Sequence, residues 1–171
     1  MRNRNRGICA VLLIMLPLCS GALNSRESSS ELYQKGARLA ISGDLDSAIP
    51  VFRKVIGLSP SYCMGHYGLG KAYLYKHGRL NEAVKHLKAS VQLDRKFVKG
   101  YFYLGIAYFL ARNYLHAAQA FKTAYNLDDS YIEALYNLGV VYDIMDNKYA
   151  SQVYFTKFFD KKVKKEEDII F

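Results

Sequence analysis

The chain has no tryptophan, three prolines, three cysteines, and 15 acidic residues against 24 lysines and arginines in its 171 positions. Each scarcity excludes something. With three prolines and 12 glycines the chain is neither collagen-like nor a low-complexity linker. With 51% apolar residues it has too much to bury for a disordered chain. Cysteines stand at 9, 19 and 63, and the first two fall in an N-terminal segment set apart below, so the body keeps one thiol and no internal disulfide. The acid deficit is local: residues 61–127 hold ten Lys or Arg but only Glu82 and Asp94. No H-E-x-x-H, paired C-x-x-C, glycine-rich phosphate loop or G-x-S-x-G occurs. His66, His77, His86 and His116 are scattered, and Cys63 reads as a small buried thiol. The expectation is a protein with no catalytic residues, no metal ligands and no cofactor.

Long apolar runs are also missing. The longest apolar stretch, residues 7–23, has Pro17 inside it and falls short of the about 20 residues a spanning helix needs. Arg2, Arg4 and Arg6 precede twelve uncharged residues, 8–19, and then come the small residues Ser20, Gly21 and Ala22. That is the three-part layout of a secretory signal. Leu16-Pro17-Leu18-Cys19 is similar to a bacterial lipobox, in which Cys19 becomes the lipidated first residue, although Leu18 stands where such boxes have a small residue. Cleavage after Ala22 is the alternative. Either route predicts an exported bacterial protein, periplasmic or anchored to a membrane. Residues 1–22 are then the signal, and the serine-rich residues 23–30 a flexible tether.

What is present is periodicity. Gly36, Gly70, Gly105 and Gly139 recur at intervals of 34, 35 and 34 residues. Ala48, Ala83, Ala117 and Ser151 follow in register, and Phe52, Leu87, Phe121 and Phe155 come four residues later. Leu104, Gly105 and Tyr108 share one helical face, and Ala117, Phe121 and Ala124 share a face of the next helix. Turn signals fall midway through each copy, at Ser42-Gly43-Asp44, His77-Gly78, Arg112-Asn113 and Asp146-Asn147. Each copy therefore reads as a helical hairpin that cannot bury its apolar face alone. A Gly facing an Ala would let the paired axes approach closely. Pro50 falls inside the second helix of the first copy, where a cap at Asp46 would give a late start.

The best copy, Tyr101-x-x-Leu104-Gly105-x-x-Tyr108 followed by Ala117-x-x-x-Phe121-x-x-Ala124, resembles the tetratricopeptide repeat. The resemblance implies an all-α, right-handed solenoid of four antiparallel helix-turn-helix repeats, at about 29–62, 63–97, 98–131 and 132–165, in a domain 31–165 with a short tail 166–171. The second copy carries one extra residue near Lys76-His77-Gly78.

In that family the first helices line a concave groove, and the positions facing it carry Tyr33, Tyr67, Phe102 and Tyr136, one aromatic per repeat. Lys71, Tyr75, Ile106, Phe109 and Val140 join the same stripe. With 15 Tyr and nine Phe the chain has more rings than a small core requires, and this second stripe points to a groove for an apolar or amphipathic segment of a partner protein. Lys71, Lys99 and Asn137 alone are too few for the family's clamp for acidic peptide tails. A competing reading uses the basic outer face, with Lys85, Lys88, Arg95, Lys96 and the run Lys161-Lys162-Val163-Lys164-Lys165, on anionic lipid; export argues against nucleic acid. A third expects a homo-oligomer or partner to dock on the uncapped end, where Phe159, with Tyr154 or Val153 beside it, has no following repeat to cover it; the alternative cover is the chain's own Ile169-Ile170-Phe171 folding back.

Overall fold

The computed structural model describes residues 27–170, so the signal, Cys19 and the tether up to residue 26 lie outside the described residues, as does Phe171. Eight helices follow in order: α1 (Ser29–Ile41), α2 (Leu45–Leu58), α3 (Cys63–Tyr75), α4 (Leu80–Leu93), α5 (Val98–Leu110), α6 (Tyr114–Leu127), α7 (Glu133–Ile144) and α8 (Lys148–Ile170). No strand occurs among the described residues. Each helix packs on the next, and α1 also touches α3, which touches α5. The first helices of the repeats thus form one layer of an all-α repeat solenoid.

The helix ends follow from local chemistry. Ser28 caps α1 in a reciprocal box, its hydroxyl accepting from the Glu31 N–H at 3.2 Å while its own N–H donates to the Glu31 carboxylate at 2.7 Å. Asp44, Asn113 and Asn147 accept from backbone N–H groups at the starts of α2, α6 and α8. The cap of α2 is therefore Asp44, not Asp46, and the helix starts on time. Pro50 lies inside α2 on the exposed side, where the carbonyl left without its N–H is open to water. Asp46 instead pairs with Lys76.

The residue before each of those caps, or its counterpart in repeat two, takes the left-handed conformation. Gly43 (φ 87°) and Gly78 (φ 72°) do so freely, but Arg112 and Asp146 (both φ 57°) pay a steric penalty. Repeat two spends four residues in this turn, 76–79, where the others spend three. Replacing Arg112 by glycine is expected to stabilise the fold by about 0.5–1 kcal/mol, the relief of the αL strain being partly offset by the freer unfolded chain. Calorimetry should show a rise of about 1–4 °C in Tm, and a fall would show that the Arg112 side chain contributes more than its backbone costs.

The periodic glycines do admit a close approach, but they face three phenylalanine rings and a leucine, not alanines. A Cβ built on Gly36 would lie 2.8 Å from the Phe52 ring, on Gly105 or Gly139 2.7 Å from Phe121 or Phe155, and on Gly70 2.7 Å from Leu87. The alanines at 48, 83 and 117 are fully buried beside them. Two further glycines of α3 serve α2: a Cβ at Gly65 would meet Val55 at 2.9 Å, and one at Gly68 would meet Phe52 at 2.4 Å. Phe52 is thus seated between α1 and α3, which brings the first helices of repeats one and two together.

At the far end the burial of equivalent positions changes. Val91 is 6% exposed and Ile56 and Tyr125 are partly covered, but Phe159 is 56% exposed. Tyr154 is not beside it; its ring stacks on Tyr142 at 5.4 Å, and Phe158 is the ring against Phe159, at 5.3 Å. α8 continues as helix through residues 165–170 and does not fold back over this edge.

Candidate functional site

A cavity of about 760 Å³ opens between repeats one and two, within the range of sites that hold a small ligand or a peptide's side chains. Tyr33, Ala37 and Ala40 of α1 form one wall, and Tyr67, Lys71 and Tyr75 of α3 the other. The α3 residues fall at i, i+4 and i+8, one stripe of a helix. Phe52 and Gly68 also line it, together with Ile41 and Leu45, Lys96 and Phe97 from the loop before α5, and Val98 and Lys99 from the first turn of α5.

The walls are held by rings. Tyr33 packs on Phe52 at 5.7 Å and edge-on to Tyr62 at 6.3 Å. Tyr67 meets Phe97 at 4.9 Å and Tyr103 at 5.7 Å, both edge-to-face. Burial pushes the Tyr33 hydroxyl up to about 12, with smaller contributions from Tyr62 and Cys63. Burial, with Tyr103 and Tyr33 beside it, pushes Tyr67 up as well. Tyr75 moves the same way, chiefly by burial, against the pull of Lys71. The phenols are therefore neutral at any physiological pH.

Charge enters at the rim with one sign. The Lys71 ammonium lies 4.2 Å from the Tyr103 ring centre and 5.5 Å from that of Tyr67, a cation held over aromatic faces. Lys96 and Lys99 are exposed and line the same opening. Among the described side chains no carboxylate lies within ion-pair distance of these three lysines. The arrangement can take an apolar segment with acidic neighbours, and it contains no paired acid and base for chemistry.

Of the groove residues expected from the sequence, Tyr33, Tyr67, Lys71 and Tyr75 come together here, while Phe102, Ile106, Phe109, Tyr136 and Val140 do not line the cavity. The stripe is interrupted by ring packing. Phe102 is engaged by Tyr131 at 5.0 Å, Phe121 at 5.6 Å and Tyr103 at 5.7 Å. Phe109 lies against Tyr114, and Tyr136, although 47% exposed, against Phe155 and Phe158. Even within the cavity Tyr67 is only 6% exposed, so it is wall and core at once, whereas Tyr75 is 60% exposed. Met64, Gly68 and Phe97 were not anticipated; the glycine run of α3 was the available signal for Gly68, and Phe97 stands in a loop that a helix-face pattern does not reach.

Comparison with known proteins agrees with the repeat fold. A family model described as tetratricopeptide repeat matches residues 32–62, and one described as TPR repeat matches residues 74–111. The chain is a tetratricopeptide repeat protein. A crystal structure of MamA superposes with a TM-score of 0.79 at 21% identity, over 86% of both chains. The first TPR of Spaghetti (RPAP3), bound to the HSP90 peptide SRMEEVD, superposes with a TM-score of 0.67 at 21% identity, over 70% of this chain and 96% of that one. The mouse (Mus musculus) DnaJ homolog subfamily C member 7 is 25% identical over 134 residues, 78% of this chain. This tetratricopeptide repeat chain spans only 27% of that relative's length.

Proposed function

We propose that this tetratricopeptide repeat protein is a protein–protein interaction scaffold that holds an apolar or amphipathic segment of a partner in the groove between repeats one and two. The observation that carries the reading is the groove itself: neutral aromatic walls with Lys71, Lys96 and Lys99 at the opening. Apolar side chains of the guest would pack on Tyr33, Tyr67 and Tyr75, and acidic residues flanking them would meet the lysines. A structural neighbour bound to an acidic peptide supports a peptide as the type of guest. The leader residues 1–22, with Cys19 or the bond after Ala22 as the processing site, place the scaffold in a bacterial envelope in this proposal. The basic outer face is the second element: Lys85, Lys88 and Arg95 are exposed and would draw the scaffold to anionic lipid, whereas Lys96 faces the groove and Lys161 is already engaged by Asp129.

Panning a phage-displayed library of random dodecapeptides on the full chain tests the groove. Enriched sequences should combine aromatic or branched apolar residues with acids, and binding should survive high salt better than adhesion to anionic vesicles does. Tyr75→Ala should weaken such peptides by about 30-fold, the equivalent of a hot-spot loss of about 2 kcal/mol. Because Tyr75 is 60% exposed, its unfolding curve should move by less than about 0.5 kcal/mol. Peptides that bind Tyr75→Ala and the wild type equally would place recognition elsewhere.

A further inference from the structure

The groove asks for an apolar segment flanked by acids, and the chain carries one itself. Lys161 donates to the Asp129 carbonyl at 3.1 Å and pairs with its carboxylate, beside the start of α7. From there α8 continues nine residues to Ile170, roughly 13 Å at 1.5 Å per residue. Val163 on this stretch is 53% exposed and Lys164 is exposed. Its sequence then reverses in character: after Lys164 and Lys165 come Glu166, Glu167 and Asp168, followed by Ile169, Ile170 and Phe171. No other three consecutive acids occur in this chain of net charge +9.

The charge of the leader excludes it as the better guest. Residues 8–19 are apolar, but Arg2, Arg4 and Arg6 precede them, and those would meet the lysine rim with like charge. The groove of the same molecule is out of reach of its own tail, because α8 packs on α7 at the far end of the stack while the groove is built by α1, α3 and the entry to α5. We propose that residues 166–171 of one copy dock in the groove of a second copy, with Ile169, Ile170 and Phe171 on the aromatic walls and the three acids at Lys71, Lys96 and Lys99. This rests on the groove reading above and names its occupant. The contact joins two different surfaces, so it is head-to-tail and does not close; copies add in series.

Sedimentation velocity of the full chain at rising concentration, in low salt, tests it with charge reversal at both ends. The wild type should form a concentration-dependent series that extends past the dimer and recedes in 0.5 M salt. Glu166→Lys/Glu167→Lys/Asp168→Lys, and separately Lys96→Glu/Lys99→Glu, should each raise the concentration of half-association at least ten-fold. Lys96 and Lys99 are exposed, and thermal unfolding of each variant confirms that the fold is kept. Combining both sets of reversals in one chain restores opposite charges at tail and rim and should restore association. A wild type that stays monomeric at every concentration overturns the proposal, as does association indifferent to both reversals, which is what docking through the exposed Phe159 edge would give. Failure of the combined variant to recover overturns it too. The phage-peptide assay separates the two readings: if groove-dependent peptide binding persists while self-association fails, only the self-docking falls.

Discussion

Replacing Phe52 by alanine is expected to remove about 3–5 kcal/mol of folding stability, the range for deleting a buried phenylalanine ring. The ring is 2% exposed and lies between two helices at positions where neither has a side chain. A Cβ on Gly36 of α1 would stand 2.8 Å from it and a Cβ on Gly68 of α3 2.4 Å. Glycines cannot reach into the space the ring would vacate, so the cavity could close only by moving whole helices, and a cavity that cannot collapse is the expensive kind. Tyr33, tilted against the ring at 5.7 Å, would lose its support and with it part of one wall of the groove. Urea unfolding should therefore show a large loss of stability accompanied by a loss of peptide binding. Phe155 supplies the internal comparison. It occupies the same repeat position against Gly139 but is only partly buried, and a Cβ built on a glycine approaches it from one helix instead of two. Phe155→Ala should cost less than Phe52→Ala, and equal costs would mean that the second glycine contact contributes nothing.

This asymmetry between two identical residues shows where sequence was informative. The register of Gly36, Gly70, Gly105 and Gly139 with Phe52, Leu87, Phe121 and Phe155 was enough to infer the hairpins, their turns and the pairing of helices within each repeat, because those contacts are local and recur at a fixed interval. The same register also made the last repeat's exposed Phe159 legible, since the place it shares with Ile56, Val91 and Tyr125 needs a following repeat to cover it. The site was only half legible. A helical stripe reports which residues face one side, and Tyr33, Tyr67, Lys71 and Tyr75 did converge. It is blind to residues that loops fold across that side. Tyr131, in the loop before α7, and Tyr103, one residue off the stripe, turn to Phe102 and leave it engaged. Phe97, in the loop before α5, closes the groove by packing on Tyr67. Lys96 was read as part of an outer basic face, yet the same loop brings it to the groove's rim beside Lys99. The four histidines, scattered along the sequence, likewise gave no sign that two of them would meet.

That meeting should make the protein lose stability in acid earlier than its carboxylates require. His66 of α3 and His86 of α4 approach with their Nδ1 atoms 3.2 Å apart and their rings stacked at 5.4 Å, with Tyr73 against His86 at 5.8 Å. One neutral imidazole can donate to the other, but two imidazolium ions there would repel. Burial pulls the His66 value below its usual range, opposed by a hydrogen bond to the Pro60 backbone. Burial, then the charge of His66, then Lys85 and Arg53, lower His86 to about 4, with Glu82 opposing. Arg53 is fixed beside the pair by its bond to the Tyr73 hydroxyl at 2.6 Å, and Glu82 is engaged by Arg79. The unfolded chain binds protons at both imidazoles near pH 6.5, whereas in the folded chain His86 resists until about 4 and His66 is held below its usual range. Between those values the unfolded state holds more protons, so stability rises with pH across the window and falls as pH drops through it. Because both rings are only partly buried, solvent screening reduces the effect, and a loss of about 1–2 kcal/mol between pH 7 and pH 4 is expected. The carboxylates Glu31, Asp44 and Asp128, held low by hydrogen bonds from serine side chains and backbone N–H groups, add to the acid loss only as pH falls through the ordinary carboxylate range, at the lower end of that window. Urea midpoints measured from pH 7 to pH 4 in the wild type and in His66→Tyr/His86→Leu separate the two sources, tyrosine being what repeat three carries at the position of His66. The wild type should lose stability steadily from about pH 6.5, and the variant should stay flat until the carboxylates begin to titrate. Equal slopes in the two proteins would assign the acid sensitivity to the carboxylates alone.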